Sequence, residues 1–145
     1  MGKGSNGENA GRNLKRKRKK YKWLSKKWKR AKLKLKERFD PLGKSPMASG
    51  IVIEKITLEQ KQPHSGLIKC VKVQLKKNGR VVTAHAPRDK AITFINEHDE
   101  VMIAGLGGSQ RGPMGSIPGV RYKVTKVNNV DLQALRHGIR EKPKR

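Results

Sequence analysis

The stretch Lys69 to His85, KCVKVQLKKNGRVVTAH, decides the fold. Val71, Val73 and Leu75 alternate with Lys72 and Gln74, the period of a half-buried strand, and Val81 to Ala86 offers a second strand after Asn78-Gly79. Asn-Gly favours the positive backbone angles of a type I′ turn, so the segment predicts an antiparallel hairpin. Upstream, Ile51 and Ile53 alternate with Val52 and Glu54. Downstream, Val101 to Ala104 and Val120 to Val127 read as two more strands flanking a glycine-rich loop from Gly105 to Gly119. Ile92 to Ile95 has room for one short turn of helix between strands.

Five short strands in about eighty residues suit a small ring of β-structure, and the expected fold class is mainly β, a five-stranded OB-fold barrel. After Asn128-Asn129, residues Asp131 to His137 predict a short helix capped by Asp131 and stopped at Gly138, followed by the basic tail REKPKR, expected to order only on binding. The reading is of three parts: 1–49 as a basic extension, 50–130 as the barrel, 131–145 as helix and tail.

Charge sets the extension apart. The 145 residues carry 36 Lys and Arg against 11 acids, net +25. Residues 1 to 50 alone hold 18 and 3, net +15. A field of that size points to a polyanion, and nucleic acid is the natural one. Leu14, Tyr21, Leu24, Trp28, Ala31 and Leu35 recur at helical spacing, which predicts a basic helix ending at Asp40-Pro41. Lysines surround Tyr21, Trp23 and Trp28, a composition suited to phosphates and unstacked bases together. The candidate contacts are Arg12, Lys15, Arg16, Lys17, Arg18, Lys19 and Lys20, then Trp23, Lys26, Lys27, Trp28, Lys29 and Arg30, with Lys69 from the barrel. A basic amphipathic helix also suits an anionic membrane or a partner's groove, but the apolar stripe is thin.

Other chemistries fail on spacing. Cys70 is the single cysteine, so neither an internal disulfide nor a CxxC zinc site is available. His64, His85, His98 and His137 lack metal-ligand spacing, and no metal or cofactor is expected. His64 beside Ser65 lacks an orienting acid and adjacent residues rarely aim at each other, so no catalytic residue is expected. Gly105-Leu106-Gly107-Gly108 lacks the third glycine and following helix of a dinucleotide fingerprint. No secretory h-region or membrane-spanning apolar run is present, and the expected location is cytoplasmic.

Two segments carry a family resemblance: KQPHSGLIKCVKVQLKKNG from Lys61 to Gly79, and GSIPGVRYKV from Gly115 to Val124. Together they resemble the universal small-subunit ribosomal protein family S twelve. GIVIEK from Gly50, NEHDEV from Asn96 and the terminal EKP resemble its archaeal and eukaryotic branch, known in eukaryotes by the number twenty-three. The resemblance implies an OB-fold barrel and an extension threaded into small-subunit rRNA, with neighbouring ribosomal proteins as further partners. It implies that Lys61, Gln62, Pro63, His64 and Ser65 form a loop beside the mRNA–tRNA codon–anticodon helix of the decoding centre. Pro118, Gly119, Val120 and Arg121 then form a second loop there. Departures from the family pattern are His64 for asparagine, Gly66 for alanine, Ile68 for arginine, Lys90 for glycine and Ser116 for aspartate; Gln62 stands where bacterial relatives have lysine. The competing reading is an OB-fold translation factor that visits the ribosome transiently.

The extension's charge generates a test. Residues 1 to 45 are expected to show little helix by circular dichroism in dilute buffer and to gain it when rRNA is added, because like charges one turn apart repel until phosphates neutralise them. Stable helix without RNA contradicts this.

Overall fold

Val71 and Cys70 are adjacent in sequence and both fully buried, although neighbours in a strand point to opposite faces. The strand that carries them is therefore covered on both sides, and the architecture follows from what covers it. A computed structural model describes residues 7–143. It divides into two units, one through Lys44 and one from Ser45.

The first unit is helical: α1 Ala10–Leu24, α2 Lys26–Lys32 and α3 Leu35–Phe39. The single helix expected from the spacing is thus three. Ser25 leaves helical geometry and its hydroxyl accepts from Trp28 N–H at 3.4 Å, capping α2. Lys34, at φ 49°, breaks the chain again before α3. None of the three helices buries a residue. Eight of the fifteen residues of α1 are Lys or Arg, and its N-cap Asn9 makes no side-chain cap. Leu42, just beyond the helices, is buried, and Asp40 Oδ1 accepts from its N–H at 3.0 Å.

The second unit is mainly β: β1 Met47–Glu59, β2 Leu67–Leu75, β3 Val81–His85, β4 Glu100–Gly105, β5 Tyr122–Val127 and β6 Val130–Asp131. The order is β3-β2-β1-β4-β5-β6, antiparallel throughout. A parallel pairing of Ala84 with Tyr122 and His85 with Lys123 joins β3 to β5 and closes five strands into a ring. A 3-10 turn, Ala91–Phe94, stands where Ile92 to Ile95 was expected to coil, and α4, Leu132–Arg136, follows its Asp131 cap.

The ring is filled by Val52, Val71, Val73, Leu75, Val101, Ile103, Val124 and Val127, each at most 1% exposed. Each buried aliphatic side chain contributes about 1.5–3 kcal/mol, so this unit has a stabilising core that the helices lack. Ile51 and Ile53 fall on the exposed side, at 37% and 41%, while Val52 points in. At Ile53 the β1–β2 register slips between Val52 and Glu54, a bulge that re-aims the rest of β1. Gly50 lies beside it: a Cβ there would stand 2.5 Å from both Gln74 O and Val73 Cγ1, so the strands approach this closely only with glycine.

Two turns differ from expectation. The β2–β3 hairpin forms, but through a four-residue loop in which Gly79 N–H donates to Leu75 O at 2.9 Å and Gly79 rather than Asn78 takes a positive φ. The two-residue turn with both φ positive is Asn128-Asn129 (47° and 67°), and it creates the short sixth strand absent from the five-strand reading. β5 begins at Tyr122, leaving Val120 and Arg121 in the preceding loop.

One buried carboxylate ties the strand starts together. Asp99 is 7% exposed and accepts from Asn96 N–H at 2.7 Å, Asn128 Nδ2 at 3.2 Å and Lys142 Nζ. Its carbonyl accepts from Val52 N–H at 3.0 Å. The tail is thereby held at Lys142, not loose from Arg140 onward; Lys144 and Arg145 lie outside the described residues. Burial pushes the Asp99 carboxyl up, and the hydrogen bonds from Lys142, Asn96 and Asn128 together pull it below its ordinary value of 3.8.

A carboxyl with a depressed folded pKa stabilises the fold above its unfolded pKa, and that contribution disappears as pH falls through the folded value. Asp99→Asn is expected to lose about 1–3 kcal/mol at pH 7, with the gap to the parent protein closing below about pH 4. Urea unfolding at pH 7 and pH 3 checks both; an equal gap at the two pH values contradicts the assignment.

Candidate nucleic-acid interface

The loop between β1 and β2 is short because the strands pair up to its rim. Glu59 pairs with Leu67, and Gln60 N–H donates to Gly66 O at 2.9 Å, one more rung beyond the ladder. Lys61, Gln62, Pro63, His64 and Ser65 project from this frame, all exposed. His64 N–H donates to Lys61 O at 3.0 Å, so the projection is a closed turn, and the Gln62–Pro63 peptide is cis.

The second loop, between β4 and β5, folds against the first. Lys61 N–H donates to Ser116 O at 3.2 Å, and Gln60 Nε2 to Ser116 Oγ at 3.4 Å. Beneath both lies a small apolar cluster: Ile68, Cys70 and Val120 are buried, with Ile56, Leu58 and Ile117 packed against them. This cluster covers the Cys70 face of β2, opposite the ring core that Val71 enters. Burial pushes the Cys70 thiol up to about 11, so the side chain packs as a small neutral hydrophobe.

Pro118, Gly119, Val120 and Arg121 thus divide by role. Val120 is the anchor, 2% exposed. Gly119 turns the chain at φ 69°, a left-handed angle that disfavours a side chain. Arg121 O accepts from Leu106 N–H at 2.8 Å, closing the loop's base, and its guanidinium lies 5.9 Å from the Tyr122 ring centroid.

Two departures from the family pattern meet at Gln60, which the sequence reading left out. A Cβ on Gly66 would stand 2.6 Å from Gln60 Oε1, and Ser116 is that side chain's partner. The glycine leaves room for the Gln60 side chain to reach the serine. Nothing in the sequence brings residues 60 and 116 together; only the loop pairing does. Ile68, which the resemblance marked as a departure from arginine, is buried in the cluster and serves packing in this chain.

The candidate RNA contacts of the extension occupy exposed positions. Arg12, Lys15, Arg16, Lys17, Arg18, Lys19 and Lys20 are all on α1, and Lys26, Lys27, Lys29 and Arg30 are on α2, spread around both helices. Trp23 and Trp28 meet edge to face, with ring centroids 4.7 Å apart, so each offers only part of its surface to a base. Tyr21 remains 66% exposed. In the β unit, Lys69 is exposed while its carbonyl accepts from Ala86 N–H and His85 Nδ1. Burial lowers the His85 pKa against the opposing effect of that carbonyl.

Among the described residues no three His, Cys, Asp or Glu side chains converge as metal ligands, and no helix is long and apolar enough to cross a membrane. The arrangement offers exposed cations on helices without a core of their own, and two rigidly paired loops on a ring that has one. A family model described as ribosomal protein S12/S23 matches residues 35–145, more than half of the chain and all of the ring. With both loops and the strands that frame them inside that match, the chain belongs to the ribosomal protein S12/S23 family, structural rather than catalytic proteins of the small ribosomal subunit, whose partners are ribosomal RNA and neighbouring ribosomal proteins.

Proposed function

We propose that this chain is a resident constituent of the small subunit that anchors in rRNA through its basic extension and presents its two paired loops at the decoding centre, contributing to translational accuracy. The closed five-strand ring, with β3 and β5 parallel, supports reading it as an OB-fold barrel. The GIVIEK, NEHDEV and EKP segments support the archaeal and eukaryotic branch. The observation that carries the proposal is the coupling of the loops through Lys61, Gln60 and Ser116 over a shared apolar cluster.

The chemistry required is positional. Lysines and arginines neutralise phosphates and release counterions, giving affinity with little sequence information. A codon–anticodon helix presents a shallow minor groove lined with 2′-hydroxyls, which short polar side chains on a fixed loop can measure by shape. Pro63 locks its own φ, and Ser65 can donate or accept a hydrogen bond. The loop has no catalytic part to play. A transient factor gains no support from the family match, and it would wash from subunits as salt rises.

Pro63→Gly adds backbone freedom without bulk or charge, worth about 0.4–1 kcal/mol, so misreading and stop-codon readthrough are expected to change about 2- to 5-fold with subunit levels nearly constant. His64→Asn, which returns the common family residue, is expected to be milder. Dual-reporter assays with subunit quantification decide it: unchanged accuracy with reduced subunit abundance makes the loop an assembly contact and overturns the decoding role.

A further inference from the structure

Away from the paired loops, the turn between β3 and the 3-10 segment, together with β5 and α4, lines a half-open cavity of about 310 Å³. Its walls include Pro87, Val124 and Leu132, the last two at most 2% exposed and fixed in the core. Arg88, Lys123 and Arg136 supply three positive charges. Arg136 is held in place by donating Nε–H to Asp89 O at 2.9 Å. Arg88 also lines an adjoining groove of about 330 Å³, shared with Lys69 and Lys90. The loop that carries these cations is unusual: both Arg88 (φ 71°) and Lys90 (φ 59°) adopt the left-handed region without being glycine. Residues with side chains occupy that region at an energetic cost, and such strain concentrates at functional sites.

We propose that this cavity receives one extruded nucleotide of rRNA, with the flanking phosphates running over Arg88 into the groove lined by Lys69 and Lys90. The inference rests on the ribosomal reading given above and assigns it a specific site. The cavity lies at the lower end of ligand-pocket sizes, large enough for one base and too small for a duplex edge. An unstacked base requires an apolar wall and a planar cation, and half-buried Pro87, backed by the core side chains Val124 and Leu132, with Arg88 or Arg136 provides both. Asp131 also lines the cavity, where its carboxylate accepts from Gln133 N–H at 3.0 Å. A carboxylate repels a bare phosphate but accepts from the exocyclic amine of a base, which favours a nucleotide over an inorganic anion. Past Arg88 the groove adds Lys69 and Lys90 against one acid, Asp89, whose Oδ1 accepts from Lys90 N–H, and this continued excess of positive charge favours a strand over a free mononucleotide.

The test uses the full chain assembled into subunits, with a benzophenone amino acid placed at Gln133 in the cavity wall and, as control, at Val81, exposed and lining neither cavity. After irradiation and high-salt sedimentation, reverse transcription of the rRNA is expected to stop at one nucleotide for the Gln133 probe and not for the Val81 probe. Arg88→Gly removes the guanidinium while suiting the backbone angle, and is expected to cut the crosslink yield about 10-fold, the effect of losing one charged hydrogen bond; Arg88→Lys, which keeps the charge for the phosphates but not the planar group, restores only part of it. Subunits that retain the protein but crosslink Gln133 only to protein, or whose yield is indifferent to Arg88→Gly, overturn the pocket while leaving the ribosomal assignment standing. A chain that washes from subunits in high salt overturns both.

Discussion

Everything in the β unit depends on β2 being covered on both faces. A strand that buries Val71, Val73 and Leu75 on one side and Ile68 and Cys70 on the other cannot lie at the surface of a simple ring. Something must cover the second side, and the β4–β5 loop does so with Val120 and Ile117. The apolar contact is modest in area, yet it converts a long glycine-rich loop into a fixed feature and brings Ser116 to the backbone of Lys61. Without it the two loops would be independent, and a loop of this length with several glycines would have no single conformation.

The opposite economy governs the extension. Its helices bury nothing, so hydrophobic burial gives them no stability and charge repulsion works against them. A partner that supplies negative charge along their length would relieve that repulsion, which is the basis for expecting the extension to order on RNA. The two units differ in physical basis: the ring has a buried core of its own, whereas the helices of the extension bury no residue and carry eight cations in α1 alone. Within the ring, the one buried acid, Asp99, is satisfied locally by Asn96, Asn128 and Lys142, so it contributes to the fold and takes little from the positive field outside.

Alternation of Val71, Val73 and Leu75 made the central hairpin legible, and Asp131 with Gly138 marked the ends of the last helix. The sequence was weaker where two signals compete. Ile51 and Ile53 are as apolar as Val52, and only the register that sets Val52 opposite Val73 decides which of them enters the core. Asn-Gly and Asn-Asn are both turn-formers, and strand pairing rather than residue type gave the two-residue turn to Asn128-Asn129. The broken helix escaped notice because Ser25 suits an N-cap but is also tolerated within a helix. The loop positions were found through whole-motif resemblance, whereas Gln60 was not, since its role comes from a partner 56 residues away.

The decoding role proposed for the Lys61 to Ser65 loop would impose conflicting demands, because strong cationic contacts would bind any RNA helix, right or wrong, while a loop with no fixed geometry would respond to neither. Discrimination requires that a misfit cost more than the loop can relieve by moving. In this chain residues 1 to 50 carry net +15 of the total +25, while the loop segments Lys61 to Ser65 and Pro118 to Arg121 carry one cation each, Lys61 and Arg121, and Pro63 and Ser65 carry no charge. Stiffness is supplied from below, by the rung at Gln60 and Gly66, the link from Lys61 to Ser116 and the cluster around Cys70. A Gly66 and Ser116 pair replaces alanine and aspartate of the family pattern with smaller or less charged groups, and both changes converge on Gln60. The loop's support is therefore made by a neutral side-chain hydrogen bond, which preserves the pairing of the loops without a carboxylate at position 116.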